Sequence, residues 1–181
     1  MDKAYVLIVN ESGKEDSVIS NLKNIPSITN AFGTFGSYDI LTKLESSSEQ
    51  NIQNDISKGI RKISNIRATL TLLVDKNPGI IKTNEIEREV LDTYMAQAFV
   101  TIHCLRSYES KILESLENIP EIIEADRLIG NYEIICKIAA PTYNEISEII
   151  SKKIRKIPGI KSTITMNIVN NQGFSRQSFL S

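Results

Sequence analysis

Apolar residues along the chain fall into short dense runs separated by longer, spaced stripes. Ala4–Val9 is apolar at nearly every position and rich in β-branched and aromatic residues, which predicts a strand. Val18, Ile19, Leu22 and Ile25 follow at helical spacing and stop at Pro26. Residues 28–35 and 38–44 read as two strands joined at Gly36. Ile52, Ile56, Ile60 and Ile63 then stand at i, i+4, i+8 and i+11, one stripe of an amphipathic helix, and residues 67–74 close the series as a last strand. The order is βαββαβ, a ferredoxin-like pattern.

The same order then recurs. Laid over itself with Ala98 on Ala4, the chain matches without a gap to Asp75, with about 25 of roughly 72 positions identical. Asn24-Ile25-Pro26 falls on Asn118-Ile119-Pro120, and Ile60-Arg61-Lys62-Ile63 on Ile154-Arg155-Lys156-Ile157. The second copy reads as a strand over 98–103, a helix carrying Ile112, Leu113, Leu116 and Ile119, and a helix carrying Ile146, Ile149, Ile150, Ile154 and Ile157. That last helix opens with a capping box, Thr142-x-x-Glu145, and ends at Pro158-Gly159 before a strand over 162–169. The expected organisation is a first domain over 1–76, a linker over 77–96, a second domain over 97–169 and a polar tail over 170–181. The linker carries a helix near 84–95 capped by Asn84-x-x-Glu87. The tail reads as a frayed end, with docking as the alternative.

The fold class is therefore α+β, in tandem ferredoxin-like units. Two helices cover only one face of a four-stranded sheet, yet strand one is apolar throughout, so its other face is also expected to be buried. Sheets packed face to face, as in dimeric α+β barrels, satisfy this within one chain, and pairing between chains is the alternative. Apolar residues make up 41% of the chain, enough for a core, so disorder is excluded. With 21 basic against 22 acidic side chains, coating nucleic acid or an anionic membrane by bulk charge is not expected. Two distant cysteines suit a reducing compartment, and no apolar run spans a bilayer. Met1-Asp2-Lys3 leads straight into the first run, and a cytoplasmic protein is the expectation.

Motifs in both copies carry a resemblance. Copy one has Ile25-Pro26-Ser27-Ile28, Gly36-Ser37-Tyr38-Asp39-Ile40-Leu41 and Thr69-x-Thr71. Copy two has Ile119-Pro120-Glu121-Ile122, Gly130-Asn131-Tyr132-Glu133-Ile134-Ile135, Ile157-Pro158-Gly159-Ile160 and Thr163-x-Thr165. In order and spacing these resemble the effector-binding (RAM) domain of the Lrp/AsnC transcriptional regulators. The resemblance implies a βαββαβ domain that binds amino-acid effectors at loops between packed units. Members of that family carry a helix-turn-helix ahead of this domain; strand one here starts near residue 4, so no direct DNA reading is expected. Two further departures are Ser64-Asn65 for the usual Pro-Gly and Glu133 for the usual Asp.

The candidate effector site thus comprises Gly36, Ser37, Tyr38, Asp39, Thr69 and Thr71, with Gly130, Asn131, Tyr132, Glu133, Thr163 and Thr165. A glycine frees backbone N–H groups for a carboxylate, and the acid beside it suits an ammonium group. The bland alternative is a hairpin turn whose acid caps the loop. His103, Cys104 and Cys136 form a weaker candidate for metal, set aside because copy one has Val9, Asn10 and Thr42 there. Lys58-x-x-Arg61-Lys62 and Lys152-Lys153-x-Arg155-Lys156 place cations at helix C-termini, where they complement the dipole. One histidine, in one copy, and no Walker-type loop argue against catalysis, so no enzyme and no cofactor are expected. The function expected is a stand-alone effector sensor acting through oligomerisation, with itself or full-length Lrp/AsnC regulators as partners. A ligand-free interaction module is the second reading, and a small enzyme of the α+β barrel group the third.

Overall fold

A computed structural model describes residues 1–82 and 85–176, without the side chains of Glu85 and Ile86. Asn84, the expected cap of the linker helix, and tail residues 177–181 lie outside the described residues. The chain forms two compact units, Met1–Val74 together with the chain from Val169, and Asp75–Ile168.

The first unit runs β1 (Asp2–Asn10), α1 (Glu15–Leu22), β2 (Ile28–Gly36), β3 (Ile40–Ser46), α2 (Glu49–Asn54) and β4 (Ile66–Val74). Its strands order as β4-β1-β3-β2. β1 is antiparallel to both neighbours, with Val6 opposite Thr42 and Thr71. Ala4, Val6 and Ile8 of β1 meet Val18, Ile19 and Leu22 of α1 and Ile52, Ile56 and Ile60 of the second helix in one core. Tyr5 and Leu7, on the other face of β1, are 4% and 1% exposed, so that strand is buried on both faces as its unbroken apolar run requires.

The second unit repeats the plan: β5 (Ile80–Ile81), α3 (Glu85–Tyr94), β6 (Ala96–Cys104), α4 (Glu109–Glu117), β7 (Ile122–Ile129), β8 (Ile134–Ala140), α5 (Tyr143–Ile149) and β9 (Ile160–Ser175). β6 pairs with β8 and β9, and β7 with β8 and β5. Ala98, Val100 and Ile102 join Ile112, Leu113, Leu116, Ile146, Ile150 and Ile154 in its core. The capping box at Thr142 forms as read: its hydroxyl accepts from the Glu145 N–H at 3.2 Å, and the Glu145 carboxylate accepts from the Thr142 N–H at 3.1 Å.

Helix α2 and helix α5 each continue into a π turn, Asp55–Gly59 and Ile150–Ile154. In the second of these the Arg155 N–H donates to the Ile150 carbonyl at 2.9 Å, an i→i+5 contact, and Ile150 and Ile154 stay buried through it, as Ile56 does through the first. In copy one, Asn65 takes the left-handed conformation (φ 73°) that Gly159 takes in copy two (φ 96°), so asparagine serves in place of the missing glycine.

Residues 75–82 and 169–176, read from sequence as linker and tail, are ordered parts of the two units. The backbone N–H of Lys82 donates to the Ile123 carbonyl at 3.0 Å, and that of Arg176 to the Thr29 carbonyl at 2.8 Å. Thr29 and Ile123 are the same position of the two copies, as are Lys82 and Arg176.

Ile56 is 1% exposed at the π turn. Ile56→Ala is expected to lower unfolding stability by about 2–5 kcal/mol in chemical denaturation. Lys58→Ala, on the exposed side of the same turn, should shift it by no more than about 0.5 kcal/mol.

Candidate functional site

In each unit the loop between the second and third core strands meets the end of the first. β2 ends on Gly36 at φ 130°, and Gly130 after β7 has φ 124°, a left-handed region in which a side chain is strained. Gly36 and Ser37 are exposed, as are Gly130 and Asn131, while Tyr38 and Tyr132 are half-buried. The backbone closes the loop alike in both copies. The Asp39 N–H donates to Ile8 O at 2.9 Å and its carbonyl accepts from the Thr34 N–H at 2.8 Å. The Glu133 N–H donates to Ile102 O at 3.1 Å and its carbonyl accepts from the Leu128 N–H at 2.8 Å.

The acid ties this loop to a bulge. Pairing of β1 with β4 slips between Val9 and Asn10, and pairing of β6 with β9 slips between His103 and Cys104. A bulge leaves an N–H outside the ladder. Asp39 Oδ2 accepts from the Asn10 N–H at 2.9 Å, and Glu133 Oε2 from the Cys104 N–H at 2.9 Å. The acid therefore bonds the bulge of the first strand, and not its own turn as the alternative reading expected. It commits one carboxylate oxygen in each loop and leaves the other outside this bond.

The copies differ around that tie. Glu133 is 7% exposed, and its Oε2 also lies 3.1 Å from His103 Nδ1. The Tyr132 ring stands edge-on to the imidazole at 6.5 Å. Next to it, buried Glu109 accepts from Arg106 and from Arg127, each at 3.3 Å. Copy one has Ser12 and Gly33 where these arginines stand. Conversely, Thr34 Oγ1 donates to the Tyr38 carbonyl at 2.9 Å, a bond that Leu128 does not make. Sequence reasoning missed the His103–Glu133 pair and the arginine pair. The available signal was joint departure from copy one at 103 and 133.

The threonines stand apart from the loops. Thr69 lies opposite Ile8 and Thr71 opposite Val6, so both point to the helix-bearing face of the sheet. The Thr71 hydroxyl is buried without a hydrogen-bond partner among the described residues. Thr163 and Thr165 hold the same register against Ile102 and Val100, and the Thr163 hydroxyl accepts from Arg155 Nε at 2.9 Å.

The metal candidate separates. Cys104 and Cys136 lie in the second core, whereas His103 turns to Glu133 and is 41% exposed at its side chain. Among the described residues no group of three or more His, Cys, Asp and Glu side chains is placed to hold a metal ion. Burial, reinforced by the charge of Glu133, pushes the Cys104 thiol up to about 11, and burial pushes Cys136 to about 12. Of the cations at the helix ends, Lys153 pairs with Glu121 at 3.1 Å and Lys152 with Glu148 at 3.7 Å. Among the described residues no helix is long and apolar enough to cross a membrane.

Two outcomes follow from this geometry. Both thiols stay protonated at neutral pH, so a disulfide-exchange reagent should titrate neither in the native protein and both after denaturation. Glu133→Ala strands a buried N–H and should cost about 1–3 kcal/mol in chemical denaturation.

Comparison with known proteins places the chain among relatives. The family model for the Lrp/AsnC ligand binding domain matches residues 97–172. The HTH-type transcriptional regulator FL11 of Pyrococcus horikoshii is 28% identical over 126 residues, 65% of this chain and 82% of that one. The regulatory protein AsnC of Haemophilus influenzae is 30% identical over 108 residues, 57% of this chain and 71% of that one. Among solved structures, the siroheme decarboxylase NirDL superposes with a TM-score of 0.73 at 10% identity, covering 99% of this chain and 75% of that one. That likeness is one of fold alone, but it corrects the exclusion of catalysis drawn from the sequence. A fold that an enzyme shares over nearly the full length of this chain cannot be read as non-catalytic from a missing triad. By its loops, its matched second repeat and its regulator relatives, the chain belongs to the Lrp/AsnC family.

Proposed function

We propose that this chain senses small amino acids or similar zwitterions at its two glycine loops and passes the signal through oligomerisation, with itself or with full-length regulators of the family. The observation that supports it most directly is the carboxylate tie present in both copies. Asp39 and Glu133 are each fixed by a backbone N–H through one oxygen. A carboxylate so oriented keeps acceptor capacity for an ammonium group without paying to be positioned. The exposed Gly36-Ser37 and Gly130-Asn131 segments lie beside it to receive the α-carboxylate by backbone N–H groups. Thr69, Thr71, Thr163 and Thr165, which lie opposite core residues on the helix-bearing face, are left out of the proposed contacts.

Calorimetric titration with a panel of amino acids tests the reading, with solution mass measured in parallel. Asp39→Asn and Glu133→Gln keep an acceptor for the bulge N–H and remove the charge. Affinity for the responding amino acid should fall by about tenfold or more, equivalent to about 1.4 kcal/mol, while the fold is retained. Equal affinity in the double variant, or no response to any amino acid, would sink the proposal.

A further inference from the structure

Residues 79–82, after β4, and 173–176, at the end of β9, share a set of equivalent contacts. An ideal Cβ on Gly79 would stand 1.9 Å from the Ala125 carbonyl oxygen, and one on Gly173 2.1 Å from that of Ala31, so only glycine lets either backbone approach. Ile80 enters the second core, and Phe174 packs against the first. Lys82 Nζ donates to the Ile119 carbonyl at 2.8 Å. Arg176 donates to the carbonyls of Ile28 at 2.6 Å, Lys23 at 2.8 Å and Ile25. Ile25 and Ile119 are equivalent carbonyls just past α1 and α4; each also accepts a backbone N–H, from Ile28 and Ile122, and stands at the helix end that carries partial negative charge.

The acceptor on the first unit is thus a built site. It offers the edge of β2, a slot at the rim of the core and a cluster of carbonyls after α1. What it recognises is an extended segment of the form glycine, large apolar, any residue, cation. Its hydrogen-bonding groups come from residues 16–31, and the core it borders belongs to the first unit. Asn30 Nδ2 donates to Ser175 Oγ at 2.8 Å, and Gln172 Nε2 to Asp16 Oδ1 at 3.1 Å, adding side-chain contacts on either flank.

We propose that this edge of β2 is a binding site for an extended segment, and that it exchanges its own residues 173–176 for the same segment of a second copy of the chain. The exchanged pair loses no contact, because the incoming segment repeats each bond and the apolar insertion, as in domain swapping. The junction permits it: Asn170 and Asn171 of β9 are exposed, and Asn171 already departs from extended backbone at φ 62°. The tethered segment competes at an effective concentration on the order of millimolar, so exchange rises with protein concentration. The proposal stands apart from effector binding, since none of its contacts involves the glycine loops.

Disulfide trapping between differently tagged copies tests it. Asn30→Cys is mixed with Ser175→Cys, and separately Asp16→Cys with Gln172→Cys, over a range of concentrations under mild oxidation. The expected product is a mixed two-chain disulfide from at least one pair. Its yield should rise with concentration and fall about tenfold when Phe174→Ala and Arg176→Ala are added, which remove the recognised groups. No mixed product from either pair, or a yield undiminished by those two substitutions, overturns the proposal.

Discussion

The end of each unit that carries the candidate site depends on one hydrogen bond from a bulged backbone to a carboxylate. The pairing of the first strand slips in register at Asn10 and at Cys104, and each bulge takes an N–H group out of the regular ladder. Asp39 and Glu133 answer it from the loop between the second and third core strands. Without that acceptor, the loop would lose its side-chain link to the first strand and keep its backbone bonds and, in the first unit, the Thr34 hydroxyl bond to Tyr38. The acid therefore shapes the loop first, and its second oxygen inherits a defined position.

Two acids of different length reach equivalent N–H groups because their surroundings differ. Asp39 sits half-exposed in a loop that Thr34 also ties. Glu133 is buried, shared with His103, and flanked by the arginines on Glu109. The loops are equivalent in backbone and unequal in charge and access, so a ligand meets two different chemistries in one chain.

Much of this fold is legible in the residues. Dense runs such as Ala4–Val9 and stripes such as Ile52, Ile56 and Ile60 mark strands and helices because burial sets their period. The π turns left no mark in that stripe, because an ordinary amphipathic α-helix carries the same spacing on one face. The ordered segments at 79–82 and 173–176 escaped because they are short and partly polar, although Asn77 and Asn171, and Gly79 and Gly173, preserve the repeat register. Of the site, the loops were legible as glycine followed by an acid. The use of that acid was not, because a bulge that needs an acceptor leaves no mark in composition. The exclusion of catalysis failed for a related reason: an absent motif says little about a fold that accommodates many sites.

The space above Gly33 carries one more consequence. A Cβ there would lie 1.9 Å from the Gln172 side chain, and the equivalent position in the second unit is Arg127, facing a segment with Pro78 in place of glutamine. Gln172 thus occupies room that a side chain at position 33 would need, and any substitution of Gly33 obliges that flexible glutamine to turn aside and give up its bond to Asp16.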